Sequence, residues 1–224
     1  MSKVINIRGD IVSDDLAWIY DWLDEPYTSP RQVESQLAEA VDAEEDVLIR
    51  INSGGGQLTA GMEIYSLLRD MDVEVEITGI AASAAGLIAE AGKTVRMHPV
   101  SMMMLHNVSG TFDGDYHEMR HGATVLQTMN ESVAAAFATK SGKPVDDILT
   151  IMDKETWLTA EQAVGYGFAD SIIQTDTQAT NAYAGLSITP EQIALAKVER
   201  AAKEKADADR AREKARLELE LALV

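Results

Sequence analysis

The chain has 224 residues, 46% hydrophobic but only 5% aromatic, enough apolar material for one sizeable core packed through small side chains. Its net charge is −18. Eight acidic and eight basic residues from Leu186 onward cancel, so residues 1–185 carry the whole excess, an acidic body that argues against nucleic acid and anionic membranes as partners. Cysteine is absent, which excludes disulfide and thiol chemistry. The first residues show no basic-then-apolar leader, and no apolar run approaches the roughly 20 residues of a membrane span. The expected compartment is the cytoplasm.

In chain order, residues 3–9 predict a strand with a turn at Gly9-Asp10, and 13–22 a helix capped by Ser13. Pro30 suits the first position of a second helix whose Val33, Leu37 and Val41 share one face. Residues 46–51 read as a buried strand, followed by a turn at Gly54-Gly55-Gly56 and a helix over 58–69. Residues 73–77 alternate acid and apolar, as in a half-exposed strand. An Ala-rich helix opens at Ser83 and ends by Gly92. Strands over 94–97 and 101–105 precede a long helix over 115–139. Helices over 145–152 and 159–166 and a closing strand over 170–173 complete an α/β pattern. Three parts are expected: a body over 1–175, a linker over 176–188, and a charged helical tail over 189–224 that starts at the capping box Thr189-Pro190-Glu191-Gln192.

Ser83 lies on a small-residue turn straight after an apolar strand. Gly56 stands 27 residues before it and His106 stands 23 residues after it. A serine hydroxyl needs a base to take its proton, a carboxylate to orient that base, and backbone amides for the oxyanion. Taken singly, Ser83 fits a helix cap, the glycines fit a plain turn, and His106 fits a structural histidine. The triple glycine is not a phosphate loop, because no Lys-Ser/Thr follows it and no Gly-x-Gly-x-x-Gly is present. His98 sits before a proline. His117 and His121, four apart on the long helix, suit a solvated face better than a metal site. Neither metal nor cofactor is expected.

Together the segments resemble the proteolytic subunit of the Clp protease (ClpP) family. The stretch from Ile51 through Gly56 to Tyr65 is similar to that family's Asn-Ser-Pro-Gly-Gly … Thr-Ala-Gly-Met-x-Ile-Tyr. Ala81-Ala82-Ser83-Ala84 is similar to its nucleophile turn, Met104-Leu105-His106 to its Met-Ile-His, and residues 158–172 to its Leu-Ser-Ala … Tyr-Gly-Leu-Val-Asp-Ser-Ile ending. The likeness spans about residues 3–173. It implies a ClpP/crotonase-like spiral of ββα units with a long oligomerisation helix, and peptide-bond hydrolysis by a serine endopeptidase. By position Ser83 is the nucleophile, His106 the base, and Gly56 and Ala84 the oxyanion amides. The family's aspartate position holds Glu155, with Asp153 as the competing acid. Protein or peptide substrates and a homo-oligomer, a heptameric ring or stacked rings, are implied.

The chain departs from the family pattern at Gly54, which replaces a proline, in the short segment before the first strand, and in the charged tail. These features resemble a phage or prophage branch that serves capsid maturation, with capsid or scaffold proteins as partners. Other readings stay open: an ATPase-assisted degradative subunit, a catalytically silent scaffolding subunit, and a crotonase-type acyl-CoA enzyme. The last needs no Ser83/His106 pair and lacks an evident adenine-binding signature here.

Overall fold

In a computed structural model the chain divides into two units, residues 1–175 and 176–224. The structure describes residues 2–174 of the first and Ala202, Lys203, Lys205 and Arg210 of the second, these four being helical. The expected linker over 176–188 and most of the charged helix over 189–224 lie outside the described residues. Among the described residues no helix is long and apolar enough to cross a membrane.

The first unit is a mixed α/β fold built on one sheet. Strands β1 (Ser2–Ile11), β2 (Tyr27–Thr28), β3 (Asp46–Gly56), β4 (Glu74–Ala82), β5 (Thr94–Met97) and β8 (Ser171–Ile172) pair in the order β2-β1-β3-β4-β5-β8. All these pairings are parallel. Strands β6 (Met102–Leu105) and β7 (Thr156–Thr159) form the branch: β6 runs parallel to β4 and antiparallel to β7.

The strands alternate rather than run apolar throughout. Ile5 and Ile7 of β1, Ile49 and Ile51 of β3, and Val75 and Ile77 of β4 are wholly buried on one face. Each such side chain contributes roughly 1.5–3 kcal/mol by leaving water. Helices α2 (Pro30–Asp42), α3 (Leu58–Arg69) and α4 (Ala84–Ala89) share their core cluster. The opposite face is polar, where Arg50 pairs with Glu76 and Arg96 with both Glu74 and Glu76. The reading of 46–51 as a buried strand is therefore corrected to a half-buried one, since charged partners on the neighbouring strands let alternate residues face water.

Other boundaries move for identifiable reasons. β1 does not turn at Gly9. It continues through a register shift between Arg8 and Asp10, which Gly9 accommodates at φ +67°. Likewise the triple glycine is the end of β3, paired with Asp10 and Ile11, not a free turn. The first helix is α1 (Ala17–Leu23), and its N-cap is Leu16 with no side-chain cap, so Ser13 does not cap it. In α2, Pro30 and the core residues Val33 and Leu37 are as expected, but Ala40 takes the fourth buried position and Val41 is exposed.

The long helix α5 (Tyr116–Ser141) starts at Asp115, which accepts from the amides of His117 and Glu118, and ends at Gly142 in the left-handed region. Its last third buries Val133, Ala134, Ala136 and Phe137, whereas from Tyr116 to Glu131 the one buried residue is Gly122. Helices α6 (Val145–Met152) and α7 (Ala160–Tyr166) bracket β7, with Thr159 capping α7.

Candidate active site

Strand β4 forks the sheet. Its first half, Glu74 to Ile77, pairs with β5, and its last three residues, Ile80 to Ala82, pair with β6. Asn52 bridges the fork by accepting from the amide of Ile80 where the β3–β4 register shifts. The register Ala82↔Met104 brings the residue after β4, Ser83, beside Leu105, the last residue of β6, and His106, the first beyond it. Two segments far apart in sequence therefore end at one point because parallel strands deliver their C-terminal ends to the same edge.

Ser83 has φ 55° and ψ −121°, an uncommon conformation for a residue with a side chain. Such a conformation costs on the order of 1–3 kcal/mol and persists where surrounding bonds impose it. Here its N–H donates to the carbonyl of Met104 (2.9 Å), and its carbonyl accepts from Leu87 in the first turn of α4. α4 is buried along its whole length. It fits because its residues are small: a Cβ on Gly61 of α3 would lie 2.9 Å from the Ala84 methyl.

His106 is the histidine that meets the serine. Its Nε2 lies 2.7 Å from Ser83 Oγ. With the ring proton on Nδ1, the hydroxyl donates to Nε2, the arrangement from which a base takes the serine proton. Gly55, at φ +99°, lies against this turn: a Cβ there would stand 2.6 Å from the Ala82 carbonyl oxygen and 2.8 Å from Ser83 Cβ. By contrast, a Cβ on Gly54 meets nothing within 4 Å, so this position accepts a larger residue. Ser53 holds the glycines down, donating to the Gly9 carbonyl and accepting from the Gly55 amide.

A cavity of about 240 Å³ opens at this point, lined by Ser83, His106, Gly56 and Ala84 at its polar end. Leu87, Leu105, Val133, Phe137 and Met152 form its apolar wall. Sequence reading missed the contribution of α5 and α6 to this wall, because nothing local in Val133, Phe137 or Met152 distinguishes a cavity wall from ordinary core.

The acid is the part of the expected constellation that is not joined. Among the described residues the His106 ring bonds Ser83 alone. Glu155, at φ +45°, accepts from the Trp157 indole N–H at 3.4 Å. Asp153 accepts from the Asn107 amide at 2.9 Å. The antiparallel β6–β7 register nevertheless ends at Leu105↔Thr156, so one further step sets His106 opposite Glu155.

His98 sits in the turn after β5, and His117 and His121 are exposed on α5. Among the described residues no group of three or more His, Asp or Glu side chains could hold a metal ion. One buried carboxyl stands apart. Glu90, at the end of α4, is 2% exposed, and among the described residues its oxygens have no hydrogen-bond partner. Burial raises its pKa well above the usual carboxylate value, opposed by Lys140 and aided by Asp170.

Comparison with known proteins gives one consistent result. The Clp protease family model matches residues 25–176. The chain is 29% identical over 183 residues to the ATP-dependent Clp protease proteolytic subunit 2 of Chlamydia pneumoniae, covering 80% of this chain and 90% of that one. It is 30% identical over 166 residues to the corresponding subunit 1 of Leifsonia xyli, covering 72% and 84%. A subunit 2 from Tropheryma whipplei is 28% identical over 72% of this chain.

Proposed function

The chain belongs to the Clp protease family, a family of serine peptidases that form oligomeric rings and act on proteins, and within it we propose that Ser83, His106 and Glu155 form the catalytic triad. In this reading Ser83 Oγ attacks the scissile carbonyl carbon while His106 takes the hydroxyl proton. The Gly56 and Ala84 amides receive the oxyanion. The C–N bond then breaks, His106 returns the proton to the leaving amine, and an acyl-serine remains. Water, deprotonated by His106, cleaves this ester and restores Ser83. Glu155 orients the ring.

The observation that carries the proposal is the 2.7 Å Ser83–His106 contact at the mouth of a half-apolar cavity. His106 and Glu155 each lie one residue beyond the last β6–β7 pair, Leu105↔Thr156, which supports Glu155 over Asp153. The apolar wall suits an uncharged side chain before the scissile bond. A fluorogenic peptide with leucine before the reporter tests this: cleavage that vanishes in Ser83→Ala is the expected result, and equal cleavage by that variant contradicts the proposal.

The finer role we assign is capsid maturation in a phage or prophage, by rings that enclose the site. The charged tail joined to the peptidase body supports the role. The exposed first two-thirds of α5, with Tyr116 62% and Met119 41% exposed, supports contact between copies. Co-expression with a procapsid scaffold protein should give cleavage that Ser83→Ala abolishes; unchanged processing overturns the role. A second reading, an ATPase-assisted degradative subunit, is favoured by the relatives, which are named ATP-dependent proteolytic subunits. Degradation of a folded protein that requires an added ATPase would select it.

A further inference from the structure

Three side chains beyond the expected triad meet at Asn107, the residue after His106. Asn107 Nδ2 donates to Asp153 Oδ1 at 2.9 Å. Asn130 of α5 donates from Nδ2 to Asn107 Oδ1 at 3.0 Å, and its own Oδ1 accepts from the Val108 backbone N–H at 2.7 Å. The direction of this chain of bonds is set at both ends. A carboxylate only accepts and a backbone amide only donates, so each asparagine has a single orientation that satisfies both its neighbours. The three bonds join α5, the turn after α6 and the segment leaving β6.

We propose that Asn130, through Asn107, is a positioning residue for the reaction, and that Asp153 serves this relay as a hydrogen-bond acceptor. The proposal rests on the Ser83–His106 reading above. His106 is the first residue beyond β6, where the sheet ladder no longer holds the chain. The relay replaces the ladder by fixing the side chain of residue 107 and the amide of residue 108, and thereby the backbone on which the imidazole stands. Half-buried asparagine–asparagine bonds lose less to solvent competition than exposed ones. A base displaced by a fraction of an ångström loses its near-attack geometry with little change in binding.

The test measures the rate at which a small dialkyl fluorophosphonate modifies the full-length protein, resolved into a binding constant and a maximal rate, with the adduct located by mass spectrometry. Asn130→Ala should lower the maximal rate about tenfold and leave the binding constant within about twofold. The double variant Asn107→Ala/Asn130→Ala should be no slower than the slower single one, since the residues act as one unit. Asp153 is exposed, so its variants keep the test usable should Asn130→Ala fold poorly. Asp153→Ala should slow the reaction several-fold, whereas Asp153→Asn, which still presents an acceptor to Asn107, should react at close to the wild-type rate. A wild-type rate in Asn130→Ala, additive losses in the double variant, or an Asp153→Asn as slow as Asp153→Ala each overturns the relay. Absence of a Ser83 adduct in the wild-type protein overturns instead the reading of the site on which the relay depends.

Discussion

The serine side and the histidine side of the site reach the same point by different means. Ser83 follows a strand paired on both flanks and opens a wholly buried helix, and its amide is bonded to Met104, so backbone ladder and small-residue packing hold it. His106 lies one residue past the last pair of a four-residue strand, and asparagine side chains hold the chain beyond it. Each side is therefore vulnerable in its own way. On the serine side, added volume does the damage, because the packing is closed and the conformation strained. On the histidine side, lost hydrogen bonds do it, because the sheet ladder ends at Leu105.

The largest expected effect removes the centre both sides serve. Ser83→Ala should lower peptide hydrolysis by at least about 10³-fold, with Tm close to that of the parent, by continuous fluorescence assay. Gly55→Ala should come next and breaks the serine side alone. Its methyl meets the Ala82 carbonyl and Ser83 Cβ, at a φ that favours glycine. We expect a loss of about 10²-fold in kcat and a destabilisation of about 1–3 kcal/mol by denaturant unfolding. Gly54→Ala, which meets nothing, is the control.

On the other side, Glu155→Gln should lower kcat about 10–100-fold with KM little changed, a larger loss than Asp153→Asn causes. The reverse order would move the acid to Asp153. The smallest effect is on stability and belongs to the serine side. Glu90 closes α4, and its pKa is raised because burial disfavours the charged form. The folded state therefore binds this proton more tightly than the unfolded one. The stabilisation is complete below the ordinary carboxylate pKa of 4.5 and is lost as pH rises through the folded value. Glu90→Gln should gain Tm relative to the parent as pH rises above about 4.5, with no change in kcat. A difference in Tm that does not vary with pH would show that Glu90 is not held protonated.

Much of this was legible from local signals. Pro30 and the spacing of Val33 and Leu37 mark α2, and the four ordered motifs mark the family. Ser83 and His106 were legible because each follows an apolar strand, and parallel strands bring such ends together. Less was legible where glycine carries two meanings. Gly9 and Gly54-Gly55-Gly56 have turn composition, yet they lie in paired strands, where Gly9, Gly55 and Gly56 take positive φ. The two-residue β2 and the four-residue β7 are too short to show periodicity. The bonds among Asn107, Asn130 and Asp153 span 23 and 46 positions, and nothing in an isolated asparagine announces a partner that only tertiary structure supplies.

In the proposed reading Ser83 and His106 form an assembled nucleophile and base. This is tested most directly by treating the purified full-length protein with a fluorophosphonate and mapping the adduct by mass spectrometry, with Ser83→Ala and His106→Ala alongside. One adduct is expected, on Ser83, absent in the first variant and formed at least about 10²-fold more slowly in the second. A folded protein that takes no adduct, or one whose labelling is indifferent to His106, would contradict it.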